Sequence, residues 1–554
     1  MNKRIIAWLM ILCCFILIVA ACTNNNESSQ GSNKDTPPSA TKEPVVKDDV
    51  PEVPEGSTDV IPVKFTFYGN YDWMSSGTFG ESPSTKWIVD NKKVEIEPIN
   101  SGGAAAAKLN TMIASNTLPD VIQTDRGATV ERLRAGNILV ALDDYYEKYP
   151  NLKKFVGEQT INMLRSEDGK IYQVPNWYTT TPNGNGGWFI NKKIYKELGS
   201  PKLETFDELY DYLTMVKNKY DNVVPLEIGN DGRGIGDMFA GMANDNPKVY
   251  YEQQIYPEGD KLLHVMFTDQ YKETMLLANK WFRERLITQD ALTQTQDQFK
   301  EKLNTGLVAV MVDGDAANHG KEAHNNWIIN DPEGGYQAIW PLHKAGVDKN
   351  KVFPNYWNSL GWNVNVITKN AEDPEAIFSY LDWLTGEEGQ RIIFFGPQGS
   401  FWDNIDEQGH PIPNDAFFNT SAEDKGKYSL GAYTIVGNTT FIDTAKGKLE
   451  MAQPEEQRDW AFVAQSNVFW KTSMNATEFV NLDPAPDSDE GIIATSIKDL
   501  VLEASARMLF ADSDDEVISI LEKTRKDATG LGVEKLMAFK TAKWQENLKK
   551  LSGM

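Results

Sequence analysis

Cysteine and histidine are scarce in this sequence. The 554 residues include 3 cysteines and 5 histidines, and all of the cysteines lie near the start of the chain, at Cys13, Cys14 and Cys22. We expect cleavage just ahead of Cys22, which would leave one cysteine and therefore no internal disulfide. A metal site built from Cys and His ligands is not expected for the same reason, and neither is a cofactor.

Basic charge is also in short supply. Lys and Arg number 55 against 79 Asp and Glu, so the formal net charge is −24. The chain has no basic stripe, and a nucleic-acid partner is therefore not expected. It also lacks a phosphate-binding glycine loop and a Gly-x-Ser-x-Gly motif. Two acidic runs, at 487–490 and 512–516, do not have the spacing of an EF-hand calcium loop.

The first residues have the pattern of a bacterial lipoprotein signal. A basic start precedes an apolar run over 5–21, and the letters VAAC at 19–22 match a lipobox. We expect residues 1–21 to be a signal peptide and Cys22 to be acylated, which would attach the protein to the extracytoplasmic face of the cell membrane. The polar residues 22–59 would form a disordered tether. An uncleaved membrane anchor is the alternative.

The rest of the chain is too long for one core and predicts two lobes. Residues 63–67 and 94–97 alternate like strands, and residues 104–115 have one apolar face, which is typical of a helix. This order of strand, helix and strand predicts a mostly parallel sheet flanked by helices. The unbroken apolar run at 307–312 predicts a strand buried on both faces. Thr205 and Glu208 have the spacing of a capping box at the start of a helix.

A breaker-rich stretch lies between two short strands, about a third of the way along the sequence. Residues 175–187 are rich in Pro, Asn, Gly and Thr and contain Trp177 and Tyr178. Such a segment between strands is typical of a connection. We predict a hinge here, with the two aromatic residues placed to grip a ligand.

The order of several motifs resembles the extracellular solute-binding proteins, family 1, of bacterial ABC importers. The closest likeness is to the large lipoprotein members associated with oligosaccharide uptake. The matching segments cover nearly all of the mature chain, although Val310 stands where alanine is usual in the family. They are LPDVI at 118–122, GNILVAL at 136–142, DGKIYQVP at 168–175, the LG to FDEL segment at 198–209, FKEKLNTGLVAVM at 299–311, FGPQGSFW at 395–402 and the helical tail at 513–544.

The resemblance implies a two-lobed α/β fold of the type II periplasmic-binding-protein kind. Each lobe would be a mostly parallel sheet flanked by helices, and the ligand would bind in the cleft between them by hinge closure. The chain would cross between lobes near 179–187, near 355–361 and near Gly399. The expected division is 60–180 with 356–400 for lobe 1, and 181–355 with 401–554 for lobe 2.

The candidate ligand-binding residues follow strands or lie in the crossings. Ligands of open α/β sheets bind beyond the carboxyl ends of strands. Aromatic rings pack on the C–H face of a pyranose while fixed polar groups hold its hydroxyls, so a mixture of the two predicts a carbohydrate. The predicted set is Asn70, Asp72, Trp73, Asp125, Arg126, Trp177, Tyr178, Asp313, Asp315, Trp357, Trp362 and Trp402.

Each of these residues also has a structural interpretation. The tryptophans could be core residues, since the chain has 15 of them. Asp313 and Asp315 could form a turn or cap the next helix, and Asp125 could pair with Arg126 on the surface.

We expect a monomeric binding protein without catalytic or metal-binding residues. It would capture a carbohydrate, in particular an oligosaccharide, and deliver it to the transmembrane subunits of an ABC permease. One alternative is a lipid-anchored glycoside hydrolase or lyase, because acidic residues are abundant and a catalytic pair need not be close in sequence. Another is a binding protein for a non-sugar ligand such as a peptide, or a sensor.

Overall fold

Short apolar segments of the chain form strands in the computed structural model, which describes residues 59–229, 232–428 and 433–552. The predicted signal peptide, Cys22 and nearly all of the predicted tether lie outside these ranges. In chain order, the strands β1 to β15 are Val63–Gly69, Val94–Ile99, Val121–Thr124, Val174–Asn176, Gly187–Asn191, Val224–Glu227, Tyr256–Glu258, Lys261–Leu263, Val308–Asp313, Tyr336–Ile339, Asn355–Trp357, Asn363–Ile367, Trp402–Ile405, Pro411–Pro413 and Ser473–Asn475.

Helices account for most of the remaining described residues. The α-helices α1 to α22 are Pro83–Lys92, Ala105–Ser115, Ala128–Ala135, Asp143–Lys148, Pro150–Val156, Glu158–Met163, Lys192–Glu197, Phe206–Lys219, Gly234–Ala240, Lys248–Glu252, Asp269–Arg283, Gln296–Asn304, Ala316–Asn330, Pro374–Thr385, Glu387–Phe395, Asp415–Asn419, Ala422–Gly426, Thr439–Met451, Trp460–Ala464, Asp489–Leu509, Asp514–Leu531 and Val533–Ser552. Short 3-10 helices are Val265–Phe267, Lys349–Lys351, Glu455–Gln457, Trp470–Thr472 and Thr477–Phe479, and a π-helix spans Gln465–Phe469. Within the described ranges, no helix is both long enough and apolar enough to cross a membrane.

Two sheets form the centres of two lobes. The first has five strands in the order β2-β1-β3-β12-β4, and the second has four in the order β10-β5-β9-β6. In the first sheet β1 runs parallel to β2 and β3, whereas β12 is antiparallel to β3 and β4. In the second sheet β6 is parallel to β9, whereas β5 is antiparallel to β9 and β10.

Each sheet is therefore mixed, but a single strand runs against the others, β12 in the first sheet and β5 in the second, so the strands are mostly parallel as expected. Strands β5 and β12 both enter their sheets from a crossing between the lobes. A strand that arrives in this way is not bound by the right-handed helical crossover that makes neighbouring strands parallel, so its direction depends on the lobe it comes from.

Local signals in the sequence explain individual elements. The Thr205 hydroxyl accepts a hydrogen bond from the Glu208 N–H at 3.3 Å, and the Glu208 carboxylate accepts one from the Thr205 N–H, so the predicted capping box starts helix α8. Strand β9, which contains most of the apolar run at 307–312, is buried along its whole length. Both predictions are confirmed.

Each sheet has its own hydrophobic core. Around the first sheet, strand residues such as Phe65 and Val121 pack with Phe378 of helix α14. Around the second, Trp188 and Val310 pack with residues of helices α8, α11, α20, α21 and α22. The clusters around one sheet contain no residue of the other sheet, and this separation is the physical basis for the two lobes.

The last crossing lies later in the chain than expected. Ile435 belongs to the core of the first lobe, and Phe441 of helix α18 packs with Trp402 in a cluster beside it. Trp460 is the next large residue to pack in the second lobe, against Phe189. The crossing is therefore after helix α18 and not near Gly399, because β13 turns back on β14 in a hairpin instead of leaving the lobe. The packing thus groups residues 433–449 with the first lobe, which differs from the expected division at 400.

The crossings meet at one buried side chain. The Asn355 amide accepts a hydrogen bond from the Gly186 N–H at 2.7 Å and donates to the Gly186 carbonyl at 2.7 Å. It also donates to the Phe469 carbonyl at 3.3 Å. Asn355 starts β11, which pairs in parallel with β15, so this residue joins the first crossing, the second crossing and the segment that follows helix α19.

Candidate functional site

The segments predicted to hold ligand residues converge at one edge of the first sheet. Strands β1, β3 and β4 all end there, because Gly69 is aligned with Gln123 and Asn176 with Asn363. The antiparallel strand β12 begins at the same edge. Several predicted residues that are far apart in the sequence follow these strand ends and therefore lie at the same edge. They are Asn70, Asp72, Trp73, Asp125, Arg126, Trp177 and Trp362.

Three aromatic rings cluster at this edge and form what we call the aromatic platform, Tyr71, Trp73 and Trp362. Their ring centroids are 5.4 Å apart for Tyr71 and Trp73, 5.2 Å for Tyr71 and Trp362, and 5.8 Å for the two tryptophans. Trp73 is 66% exposed and Trp362 49%. Large exposed apolar surface of this kind marks an interaction site more often than a scattered surface residue does.

Polar groups fix the platform in place. The Tyr71 hydroxyl donates a hydrogen bond to the Asp125 carboxylate at 2.8 Å, and burial together with this carboxylate raises the tyrosine pKa. Arg126 donates to the carbonyls of Gly361 at 2.6 Å and Leu360 at 3.3 Å. Asp125 and Arg126 thus hold other partners instead of forming a surface pair, and burial lowers the pKa of Arg126 to about 10.

Two further predicted residues at this edge have structural contacts. The Asn70 amide donates to the Thr124 hydroxyl at 3.1 Å, and the Asp72 carboxylate accepts from the Ala105 N–H at 2.7 Å, at the start of helix α2. Asp72 therefore anchors a helix terminus, where a negative charge is favourable. Whether either residue also contacts a ligand stays a prediction.

Trp177 and Tyr178 differ sharply in their surroundings. Trp177 is partly buried, has a positive φ of 58° and packs edge-on against Phe394 at 5.5 Å. Tyr178 is 1% exposed and lies in the core of the first lobe. The Tyr178 side chain packs among core residues and is almost inaccessible to a ligand. The prediction that Tyr178 binds ligand is therefore corrected: it is a core residue.

The second lobe presents two predicted aspartates at its own strand edge. Asp313 ends β9, is buried, and accepts a hydrogen bond from His319 Nδ1 at 2.5 Å. Burial opposes the charge on His319, but the contact with Asp313 outweighs it and raises the histidine pKa. Asp315 accepts from the Asn318 amide at 2.8 Å. Both aspartates contact side chains in the first turn of helix α13, although Asp315 does not cap the helix with its side chain. That either residue binds a ligand stays a prediction.

The second crossing holds Tyr356 and the predicted residue Trp357. The Tyr356 hydroxyl donates to the Glu252 carboxylate at 2.6 Å. Lys248 lies 3.4 Å from Glu252 and 2.8 Å from Asp237, and is almost completely buried. The hydrogen bond and the two ion pairs connect the second crossing to the second lobe. Trp357 is partly exposed.

A cavity of about 420 Å³ lies between residues of the two lobes, and we call it the inter-lobe pocket. Trp402 lines it, although this residue is only 7% exposed and its indole donates to the Gly396 carbonyl at 3.0 Å. Trp402 is therefore mainly a packing residue. The aromatic residues of the lining are Phe394, Phe395, Phe401, Trp402, Phe417, Phe462 and Trp470, and the polar ones are Lys321, Lys425, Asp443, Lys446, Glu450, Asp459 and Gln465.

Several site residues were missed by reasoning from the sequence. Tyr71 lies in the loop after β1, between the predicted residues Asn70 and Trp73. Its position between them could have indicated that it belongs to the site. Asp443 and Trp470 lie in helical segments late in the chain and follow no strand. Nothing in the local pattern of those segments indicates a pocket.

A larger cavity, about 1140 Å³, has only second-lobe residues in its lining, among them His264 and residues of helices α20 and α22. It contains no residue of the first lobe. Its lining thus differs from that of the inter-lobe pocket and from the strand edge that carries the aromatic platform.

The sequence profile of the bacterial extracellular solute-binding proteins matches residues 90–391. This is more than half of the chain, and the match runs through both lobes. The protein therefore belongs to the bacterial extracellular solute-binding protein family. A search of curated proteins returns no match.

Several solved structures share the two-lobed fold. An alginate-binding protein, AlgQ2, has a TM-score of 0.66 at 18% identity, covering 89% of this chain and 100% of that one. An HMO-binding ABC-transporter-associated protein from Bifidobacterium longum infantis has a TM-score of 0.64 at 17% identity, with 87% and 98% coverage. The S. pneumoniae ABC-transporter substrate-binding protein FusA, in complex with kestose, has a TM-score of 0.64 at 18% identity, with 87% and 99% coverage. At such low identity, the likeness establishes the fold.

Proposed function

We propose that this solute-binding protein captures an oligosaccharide in the cleft between its lobes and delivers it to an ABC permease. The observation that carries the proposal is the aromatic platform at the carboxyl edge of the first sheet. Trp73 and Trp362 are largely exposed there, beside the Asp125 carboxylate that accepts a hydrogen bond from Tyr71. A pyranose needs both an apolar surface and fixed hydrogen-bonding groups.

The inter-lobe pocket supports the same ligand class. Its lining combines seven aromatic side chains with carboxylates, lysines and an amide. Residues of both lobes contribute, so a ligand held there would favour the closed state by contacting the two lobes at once. The structural neighbours named for alginate, HMO or kestose are further support for a carbohydrate.

In this proposal the protein binds and releases its ligand without making or breaking a bond. The monomer would be held at the membrane by acyl groups on Cys22, and the closed form would dock on the permease. Mass spectrometry of protein extracted from membranes should show a mature chain that begins with acylated Cys22. An intact N-terminus would contradict the anchor.

A thermal-shift screen tests the ligand class. Purified protein is heated with oligosaccharides of different sugars and with peptides of similar mass, each at millimolar concentration. A ligand at 100 times its Kd adds roughly 2.7 kcal/mol to the free energy of unfolding, so at least one saccharide should raise the melting temperature. The proposal fails if no saccharide does so while a peptide does.

The same preparation separates binding from hydrolysis. The saccharide that shifts the melting temperature should be recovered unchanged after prolonged incubation. Turnover that disappears when one carboxylate is replaced would favour the glycoside hydrolase alternative.

A further inference from the structure

Asp443 is a carboxylate of the inter-lobe pocket that has no cationic partner at close range. It lies in helix α18 and lines the pocket, and the Asn183 amide donates a hydrogen bond to it at 3.4 Å. Among the described residues it forms no ion pair, and Lys446 acts on it only as a more distant charge. Burial raises its pKa to about 6. At neutral pH the pocket therefore holds a mostly ionised acceptor, and the Asn183 amide contacts it only at 3.4 Å.

A donor without a partner lines the same pocket. The Trp470 indole N–H is buried and has no acceptor among the described residues, and its ring packs edge-on against Phe462 at 6.2 Å. A buried donor left unpaired costs about 1–3 kcal/mol. A ligand that carries both donors and acceptors, as a sugar hydroxyl does, would satisfy the indole and the Asp443 carboxylate together.

Most positive charge of the pocket is already engaged. Lys321 pairs with Asp459 at 2.6 Å. Lys425 donates to the Phe417 carbonyl at 3.1 Å and lies over the Phe417 ring, and burial lowers its pKa. The remaining lysine of the lining, Lys446, is exposed, so solvent screens its charge.

The first-lobe edge offers no better cation for an acidic ligand. Arg126 donates through Nη1 to the carbonyls of Leu360 and Gly361, and the neighbouring Asp125 carboxylate offsets its charge. A ligand carboxylate in the pocket would thus meet Asp443, and the cation that acts on Asp443, Lys446, is exposed to solvent. Like charges within about 4–6 Å repel, and the penalty grows where water is excluded.

We propose that Asp443 is a specificity-determining residue that makes the inter-lobe pocket accept neutral oligosaccharides and reject oligosaccharides of uronic acids. This inference rests on the proposed function and names its substrate class. A sugar hydroxyl donates to the Asp443 carboxylate, and another sugar oxygen accepts from the Trp470 indole. A uronate in the same position would bring a second carboxylate against Asp443.

Isothermal titration calorimetry at neutral pH tests this assignment. The neutral probes are kestose, maltotriose, mannotriose and xylotriose, and the acidic probes are trimers of mannuronate and galacturonate. We expect at least one neutral trisaccharide to bind and both acidic trimers to bind at least tenfold more weakly. Asp443→Asn should weaken binding of the neutral ligand about tenfold to hundredfold, since a hydrogen bond to a charged group is lost. It should also reduce the difference in affinity between the neutral and the acidic trimers.

Asp415→Asn is the matched control. Asp415 is exposed on helix α16, in the same region of the chain, and does not line the pocket. Its replacement removes the same charge and should leave both affinities unchanged. If Asp443→Asn does not fold, as judged by circular dichroism and melting temperature, Asp443→Ser provides the same comparison with a smaller polar side chain.

The results separate the two proposals. Uronate trimers that bind as tightly as neutral ones, or a gap that Asp443→Asn leaves unchanged, would overturn the role of Asp443 while leaving carbohydrate binding intact. If no trisaccharide of either charge binds while a peptide does, carbohydrate binding itself fails, and the role of Asp443 fails with it.

Discussion

At the scale of single residues, exposure separates side chains that can meet a ligand from those that hold the fold. Trp73 and Trp362 are about half exposed or more, whereas Trp402 and Tyr178 are nearly buried. All of these aromatic residues follow strands or lie near crossings, so the sequence placed them in one class. Burial depends on what the rest of the chain packs against them, and this distinction needed the structure.

Trp73→Ala should weaken ligand binding with little effect on stability. The ring is 66% exposed, so its loss from the surface should change the free energy of unfolding by about 0.5 kcal/mol or less. Removing an aromatic anchor from a binding site typically costs more than about 1 kcal/mol of affinity, or roughly a fivefold to tenfold rise in Kd. Calorimetry with the saccharide found by thermal shift measures the affinity, and urea denaturation measures the stability.

Ile329→Ala is the control for Trp73→Ala. Ile329 is 78% exposed on helix α13 in the second lobe. Its replacement should change neither the ligand affinity nor the free energy of unfolding. Unchanged affinity in Trp73→Ala would remove the aromatic platform from the site.

Asp443→Asn should stabilise the protein at alkaline pH and lose this advantage in acid. Burial raises the folded-state pKa from 3.8 to about 6, so the wild-type protein loses stability as the pH rises from about 4 through 6. Above pH 6 the cost is complete and amounts to at most about 3 kcal/mol, and the asparagine variant avoids it. Urea denaturation at pH 8 should therefore show the variant to be the more stable protein, and the difference should vanish near pH 4. A constant difference at all pH values would show that the Asp443 carboxyl does not titrate in this range.

At the scale of elements, the chain's crossings decide the direction of strands and the composition of each lobe. Helix α8 and strand β9 follow from capping and apolar pattern, because those signals act between near neighbours. The last crossing follows instead from the packing of helix α18 on the first lobe. That contact joins segments with no shared local pattern, which is why the sequence placed the crossing about fifty residues too early.

Asn355→Ala should destabilise the protein because one amide joins three segments. The change removes the hydrogen bonds to Gly186 and to the Phe469 carbonyl and leaves buried backbone groups without partners. Unsatisfied buried groups cost about 1–3 kcal/mol each, so we expect a loss of roughly 2–4 kcal/mol in the free energy of unfolding. Asn350→Ala, at an exposed position nearby, should change it by about 0.5 kcal/mol or less. Equal effects of the two variants in urea denaturation would contradict the role given to Asn355.

At the scale of the whole molecule, the lobes contact each other away from the crossings as well. Helix α22 has Leu536 in the core of the second lobe, while Leu551 near its end packs against Met163 and Leu164 of the first. Lys543 of the same helix lies 3.2 Å from Glu167. A hinge motion must therefore either keep these contacts or rearrange them.

Ligand binding should bring the lobes closer together. Closure around a ligand is the usual response of a two-lobed binding protein, and it requires the ligand to bind the closed state more tightly. Small-angle X-ray scattering should show a smaller radius of gyration when the saccharide found by thermal shift is added in excess. Trp73→Ala at the same saccharide concentration should contract less, because less of it is bound. An unchanged radius in the saturated wild-type protein would mean that binding does not close the cleft.

The sequence by itself determined the family, the two-lobed α/β fold and individual elements such as helix α8 and strand β9. Periodicity, caps and motif order act over short distances, so they can be read along the chain. Only the tertiary structure decided that the sheets are mixed, that Tyr178 is a core residue, and that Asp443 and Trp470 line one pocket. These features arise from contacts between segments far apart in sequence, and the burial of a side chain is a property of such contacts and not of its neighbours along the chain.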